Sequence, residues 1–224
     1  MNKAKIAEVF DSVQGEGIYL GEKQIFVRFF GCNLNCVYCD TKLDRFMEYE
    51  PHELVEEIGL YRDKYHSISF TGGEPLLFKD FLKEVLQLTS KGGHRHYLET
   101  NGTLVGELEE LIEHIDFVAM DLKFPTSSGM GDLWETHKKF LKVAARKEVF
   151  LKAIICEGTK EEDLKDAIKL IKEVSPSSIL VLQPNSHEDP VFLQKKLAKY
   201  KEICKQHKVI ACVIPQIHKL TGIK

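Results

Sequence analysis

The stretch RFFGCNLNCVYCDT, residues 28–41, sets Cys32, Cys36 and Cys39 at a C-x3-C-x2-C spacing. Thiolates hold zinc or iron–sulfur clusters, and three of them leave one position unfilled in a tetrahedral zinc site or a four-iron cluster. His52 and His66 fall outside the short loop, so a zinc knuckle would need a distant fourth ligand. A four-iron cluster on three thiolates keeps one iron open to bind a ligand directly. The loop follows the strand-like run IFVRFF; Gly31 lets it turn, and Asn33 and Asn35 tolerate tight backbone. Cys156, Cys204 and Cys212 lie far apart in apolar settings and read as small buried hydrophobes.

A second segment, TGGEP at residues 71–75, follows the strand-like run SISF. Gly72 and Gly73 let the backbone approach a ligand closely, and Pro75 suits a helix start. Other unusual residues also end strand-like runs: Glu99-Thr100-Asn101 after HYL, and Gln183-Pro184 after LVL. Glu99 and Asn101 either line a pocket or shape an Asn-Gly turn.

Strands are expected over residues 5–13, 24–30, 66–70, 96–100, 116–122, 149–155, 178–184 and 209–214. Amphipathic helices are expected over 51–65, 79–91, 160–174 and 190–207. Trp134 is expected to pack a helix face, and HKKFLKVAARK to coat a solvated one. Such alternation implies parallel strands joined by right-handed crossovers, with ligands gathering at the strands' carboxyl ends. The crossovers after HYLET and DFVAM look too irregular for a regular helix each. His114, His137 and His187 show no ligand spacing.

With 224 residues and no linker or repeat, the chain is expected to form one domain over 1–224. A net charge of −3 with interspersed signs argues against a nucleic-acid partner. No apolar run reaches the ~20 residues of a membrane span, and no secretory pattern opens the chain. The protein reads as cytoplasmic, where thiols stay reduced and serve as ligands or buried hydrophobes.

The cysteine spacing, with Tyr38 before the last cysteine, resembles that of the radical S-adenosylmethionine superfamily, and TGGEP resembles its glycine-rich cofactor segment. FDSVQGEGIYLGEKQIFVRFFGCNLNCVYCDT, with LETNGT, DLKFP, LQP and IHKLTGI further on, is similar to the 7-carboxy-7-deazaguanine synthase family. The resemblance implies an α/β fold: a partial (β/α) barrel of largely parallel strands, with some crossover helices irregular or missing. It implies the conversion of 6-carboxy-5,6,7,8-tetrahydropterin to 7-carboxy-7-deazaguanine with loss of ammonia. The cofactors implied are a [4Fe-4S] cluster, S-adenosylmethionine used catalytically, and Mg²⁺. An electron donor of flavodoxin or ferredoxin type and a homodimer also follow from it.

Residue by residue, the resemblance assigns Cys32, Cys36 and Cys39 to the cluster and Thr41 to Mg²⁺. Tyr38, Cys39, Asp40, Gly73, Asp121, Leu122, Lys123, Gln183, Pro184, Asn185 and Ser186 fall to S-adenosylmethionine. Val13, Gln14, Gly15, Glu16, Arg28, Thr71 and the terminal Lys224 fall to the substrate, the first three largely through backbone groups. The chain has Asp-Leu-Lys where some members have Ser-Pro-Lys, which puts more weight on Lys123 than on Asp121. A guanidinium fork suits a carboxylate or ring carbonyl, the role expected of Arg28. No protein residue is expected to act as the chemical catalyst, because the radical is cofactor-borne. Two rival readings share the three-cysteine spacing: an activating enzyme for glycyl-radical proteins, and a non-enzymatic iron–sulfur electron carrier.

Overall fold

The computed structural model describes residues 2–40, 43–62 and 64–222. Nine strands form one sheet: β1 (Ala4–Val13), β2 (Lys23–Phe29), β3 (Met47–Tyr49), β4 (Ser67–Gly72), β5 (His96–Thr100), β6 (Phe117–Asp121), β7 (Glu148–Ile155), β8 (Leu180–Pro184) and β9 (Ala211–Val213). Their order is β3-β1-β2-β4-β5-β6-β7-β8-β9. β1 runs antiparallel to β2 and β3, while every pair from β2–β4 to β8–β9 is parallel. The sheet is open, with β3 and β9 at its edges, so the expected partial barrel is borne out.

The crossovers carry α1 (Pro51–Ile58), α2 (Lys79–Lys91), α3 (Val105–Leu111), α4 (Pro125–Ser128), α5 (Trp134–Ala144), α6 (Glu161–Val174) and α7 (Pro190–Gln206). A last short helix, α8 (Ile217–Thr221), follows β9. α7 begins at Pro190 because Asp189 caps it, accepting from Val191 N at 2.8 Å. Two expectations need correction. The first helix stops at Ile58 rather than continuing to 65, capped at Gly59; Tyr61 then turns back to bond the Val9 carbonyl at 3.0 Å. The crossover after β6 does contain a regular helix: α5 buries His137, Phe140, Leu141, Val143 and Ala144, so HKKFLKVAARK is half core. Trp134 does pack a helix face, 5.7 Å from the Phe124 ring. After β5 the crossover is indeed short, seven helical residues and a 3-10 turn.

Strand alternation sorts the side chains into two layers. Ile25, Val27 and Phe29 of β2, Val118 and Met120 of β6, Leu151, Ala153 and Ile155 of β7, and Leu180 and Leu182 of β8 face the helices in the main core. The opposite face of the central strands carries a smaller apolar cluster, Tyr97, Phe117, Ala119, Phe150 and Val181. Ile18 and Tyr19, from the turn joining β1 to β2, close over this cluster, with the Tyr19 ring 4.9 Å from Phe117. Gly17 makes that closure possible: its φ is +67°, and a Cβ would sit 2.5 Å from Phe150. The turn is thereby pinned beneath the strands, which fixes the residues on its near side, Gln14 and Glu16. Among the described residues, no helix is long and apolar enough to cross a membrane.

Candidate active site

Beyond the aromatic layer, the inner strand positions turn polar. Arg28 on β2, Thr71 on β4, Glu99 on β5, Asp121 on β6, Lys152 on β7 and Gln183 on β8 all line one cavity of about 610 Å³, within the range of small-molecule sites. Arg28 is in register with Thr71, and Asp121 with Lys152. The same cavity is bordered by the cysteine loop, by the β1–β2 turn and by Gln216 and Lys219 near the end of the chain.

The cysteine loop is laced to the glycine-rich segment. Gly73 N donates to the Phe29 carbonyl and Glu74 N to the Gly31 carbonyl, both at 2.9 Å. Val37 N donates to Ser128 O at 2.9 Å, tying the far side of the loop to α4. Cys32 and Cys39 are exposed and Cys36 half-buried. Burial pushes the Cys36 thiol up; Lys123 opposes this, while Cys32 and Cys39 add to it. Crowded thiols of this kind ionise readily only around a cation, which suits an iron–sulfur cluster. Among the described residues, no three His, Cys, Asp or Glu side chains converge on a single ion. Each cysteine of a four-iron cluster meets its own iron, so the three need not converge on one ion.

Asn101, left between two readings by the sequence, meets the loop directly. Its Nδ2 donates to Asn33 Oδ1 at 2.8 Å and lies 3.7 Å from Cys32 Sγ. Glu74 holds Asn101 in turn, accepting its backbone N–H at 2.7 Å and bonding Thr100 Oγ1 at 2.9 Å. Burial pushes the Glu74 carboxyl up to about 7 against these hydrogen bonds. His137 is buried, its Nε2 3.3 Å from the Asn101 carbonyl, and burial lowers it to about 4, a neutral packing imidazole.

The remaining charges form a connected set. Lys152 Nζ lies 2.8 Å from Glu16 Oε2 and 3.4 Å from Asp121 Oδ1; Lys123 Nζ lies 2.8 Å from Asp121 Oδ2. Burial opposes charge on all four, and the opposite charges win: both carboxyls stay below the usual range and both ammonium groups above theirs. Glu16 also accepts from Gln216 Nε2 at 2.7 Å. Gln216 bonds Asp40 at 3.0 Å, and Lys219 bonds both Asp40 and Ser186. Burial would raise the Asp40 carboxyl, but Lys219 and Gln216 hold it down. Glu99, the other candidate, accepts from Gln14 Nε2 at 2.9 Å and Thr71 Oγ1 at 2.7 Å.

Three buried polar atoms on the cavity wall have no hydrogen-bond partner among the described residues: the Tyr38 hydroxyl, Gln183 Oε1 and Asp121 Oδ1, the last ion-paired to Lys152 at 3.4 Å. Such atoms are costly unless something else satisfies them, and a donor-rich, acceptor-rich molecule such as S-adenosylmethionine does so. Gly73 packs directly against the Gly31 backbone of the cysteine loop, a contact with no room for a Cβ. The residues present thus fit both the cluster and the cofactor.

The cavity gathers Val13, Gln14, Gly15, Glu16, Arg28, Cys32, Cys36, Tyr38, Cys39, Asp40, Thr71, Gly73, Asp121, Lys123, Gln183, Asn185 and Ser186 from the sequence-based expectations. Leu122 instead packs into the main core, on the opposite strand face to Asp121 and Lys123, and Pro184 is not among the lining residues. Thr41 and Lys224 lie outside the described residues. Part of the backbone of Gln14 and Gly15 is engaged within the chain. Gln14 N donates to the Glu22 carbonyl, the Gln14 carbonyl accepts from Gly21 N, and the Gly15 carbonyl accepts from Ile217 N. Lys152, Gln216 and Lys219 were not anticipated. A lone lysine within the apolar run VFLKAII was the available signal, since a buried lysine is nearly always paired.

The chain matches the Radical SAM superfamily over residues 26–194. It is 34% identical to the 7-carboxy-7-deazaguanine synthase of Geobacter sulfurreducens, over 98% of this chain and 97% of that one. With the synthase of Methanothermobacter thermautotrophicus the identity is 33%, over 99% and 98%. The fold is that of the crystal structure of QueE from Escherichia coli, with a TM-score of 0.67 at 19% identity, covering 94% of this chain and 93% of that one. The chain belongs to the 7-carboxy-7-deazaguanine synthase family within the radical SAM superfamily.

Proposed function

We propose that this cavity converts 6-carboxy-5,6,7,8-tetrahydropterin to 7-carboxy-7-deazaguanine with loss of ammonia. One observation carries the reading: a single cavity joins a three-cysteine loop to a ring of buried charges in a chain that aligns end to end with synthases of that name. The protein is a radical SAM lyase whose cofactors are a [4Fe-4S] cluster and S-adenosylmethionine. When bound, these supply one-electron hydrogen abstraction, chemistry that no amino-acid side chain provides.

The chain's own residues bind, orient and exclude water. Cys32, Cys36 and Cys39 hold the cluster at the cavity rim. Tyr38, Asp40, Gly73, Asp121, Lys123, Gln183, Asn185 and Ser186 receive S-adenosylmethionine, with the Tyr38 hydroxyl and Gln183 Oε1 finding partners there. Arg28 directs its guanidinium fork to the pterin carboxylate or ring carbonyl, while Thr71 and Glu16 contact the rest of the ring. Glu16 stays ionised because Lys152 faces it, so it accepts N–H groups from a guanidine-like edge. Thr41 is assigned to Mg²⁺ shared with the substrate carboxylate, a hard cation content with oxygen ligands; Lys224 is assigned to the substrate. We also infer one domain over 1–224, a cytoplasmic homodimer, and a flavodoxin- or ferredoxin-type donor.

A protein-backbone substrate would need an open groove, whereas this polar ring lies inside a strand-lined cavity, so glycyl-radical activation is not favoured. The test is anaerobic: the cluster is reconstituted and reduced, and S-adenosylmethionine, Mg²⁺ and the pterin are added. Appearance of 7-carboxy-7-deazaguanine by mass supports the reading. Release of 5′-deoxyadenosine alone would keep the cluster assignment and refute the substrate.

A further inference from the structure

The inner face of β7 presents Phe150, Lys152 and Ile154 in alternation, and Lys152 is only 5% exposed. Its ammonium group hydrogen-bonds one carboxylate and is ion-paired to a second, from two distant parts of the chain. Glu16 comes from the β1–β2 turn, at 2.8 Å; Asp121 comes from the end of β6, at 3.4 Å. Each carboxylate has a second partner on its own side of the cavity: Gln216 for Glu16, and Lys123 for Asp121. Lys123 in turn lies 5.6 Å from the centre of the Tyr38 ring, beside the cysteine loop.

A sealed core gains nothing from such an arrangement, because apolar residues of similar volume hold a fold at least as well as a buried ion pair. The charges here line a cavity instead, and they join its two ends. Glu16 belongs to the substrate side, Asp121 to the cofactor side, and one ammonium group touches both.

We propose that Lys152 is a positioning residue that fixes the separation of Glu16 and Asp121, and so sets the pterin and S-adenosylmethionine relative to each other. Both halves rest on the site assignments proposed above, Glu16 to the pterin and Asp121 to S-adenosylmethionine; only the pterin half depends on the identity of the substrate. Abstraction between two bound molecules depends steeply on their separation and alignment. Loosening the bridge weakens both ligands and lets the cofactor cleave without capturing substrate.

The experiment uses the cluster-loaded enzyme, reduced with dithionite, in Lys152→Met and Lys152→Arg forms beside the wild type, Glu16→Gln and Asp121→Asn. S-adenosylmethionine affinity is read without pterin from the perturbation of the cluster's electron paramagnetic resonance spectrum. The pterin KM and the ratio of 5′-deoxyadenosine to 7-carboxy-7-deazaguanine are read during turnover. Lys152→Met is expected to weaken both ligands by at least about tenfold, the scale of a lost buried charge partner, and to raise the ratio. Lys152→Arg, which spans two carboxylates with its fork, recovers most of both. Glu16→Gln acts mainly on the pterin and Asp121→Asn mainly on the cofactor.

If Lys152→Met does not fold, Lys152→Arg and the charge-balanced Glu16→Gln/Lys152→Met form carry the same comparison. A loaded Lys152→Met enzyme with wild-type affinities and ratio, or an effect on one ligand only, overturns the proposal. A wild type that makes no 7-carboxy-7-deazaguanine refutes the synthase reading and the pterin half with it. The cofactor half then stands or falls on the resonance titration.

Discussion

A Cβ on Gly73 would lie 1.9 Å from the carbonyl oxygen of Gly31. The glycine-rich segment and the cysteine loop therefore meet backbone to backbone, and neither can move without the other. Gly73→Ala is expected to displace the loop and lower the iron-to-protein ratio after reconstitution. Wild-type iron content with unchanged S-adenosylmethionine binding would show that the contact is dispensable.

Arg28 faces the cavity, with its Nε 3.4 Å from Glu8 and its guanidinium stacked 5.8 Å from the Phe10 ring centre. Arg28→Ala should lower kcat/KM for the pterin by about ten- to a hundredfold, matching the loss of a charge-assisted hydrogen bond. The cluster spectrum should be unaffected, since Arg28 supplies no ligand to the cluster. Arg28→Lys should fall between, keeping charge and losing the fork. Full turnover by Arg28→Ala would remove this residue from the substrate site.

Asn101 Nδ2 lies 3.7 Å from Cys32 Sγ, and hydrogen bonds to cluster sulfurs raise the reduction potential. Asn101→Leu is expected to move the cluster to a more negative potential in a spectroscopic redox titration. An unchanged potential would mean that Asn101 serves only to hold Asn33, its 2.8 Å partner.

Glu74 is fully buried, and burial pushes its carboxyl up to about 7 from 4.5. The folded chain thus retains a proton that the unfolded chain has released. Its contribution is present in full below the unfolded value and is lost as pH rises through about 7, up to about 3 kcal/mol in all. Urea unfolding of the cluster-free chain should show that loss between about pH 5 and about pH 8, and Glu74→Gln should flatten it. Equal slopes for the two forms would place the pH dependence elsewhere.

What the sequence revealed follows from how local each signal is. The cysteine spacing, TGGEP and the alternation of elements are short-range patterns, and all survive in the structure. Residues such as Lys152 and Glu99 gain meaning only when alternation along a strand is combined with knowledge of which face is enclosed. VFLKAII does not disclose that Phe150, Lys152 and Ile154 point inward while Leu151 and Ala153 meet the helices. Leu122 failed as a cavity residue for the same reason: it sits between two lining residues and faces the other way. The strap formed by Gln216 and Lys219 depends on contacts across about two hundred positions of sequence, with Glu16 and Asp40 at the far end.

The most direct test of the account is the stoichiometry of the anaerobic reaction. Loaded enzyme is given a limiting amount of S-adenosylmethionine, with excess pterin and reductant. 7-Carboxy-7-deazaguanine and residual S-adenosylmethionine are then followed together by mass. The account predicts many molecules of product for each S-adenosylmethionine consumed. One 5′-deoxyadenosine released per product, or 5′-deoxyadenosine with no product, would contradict it.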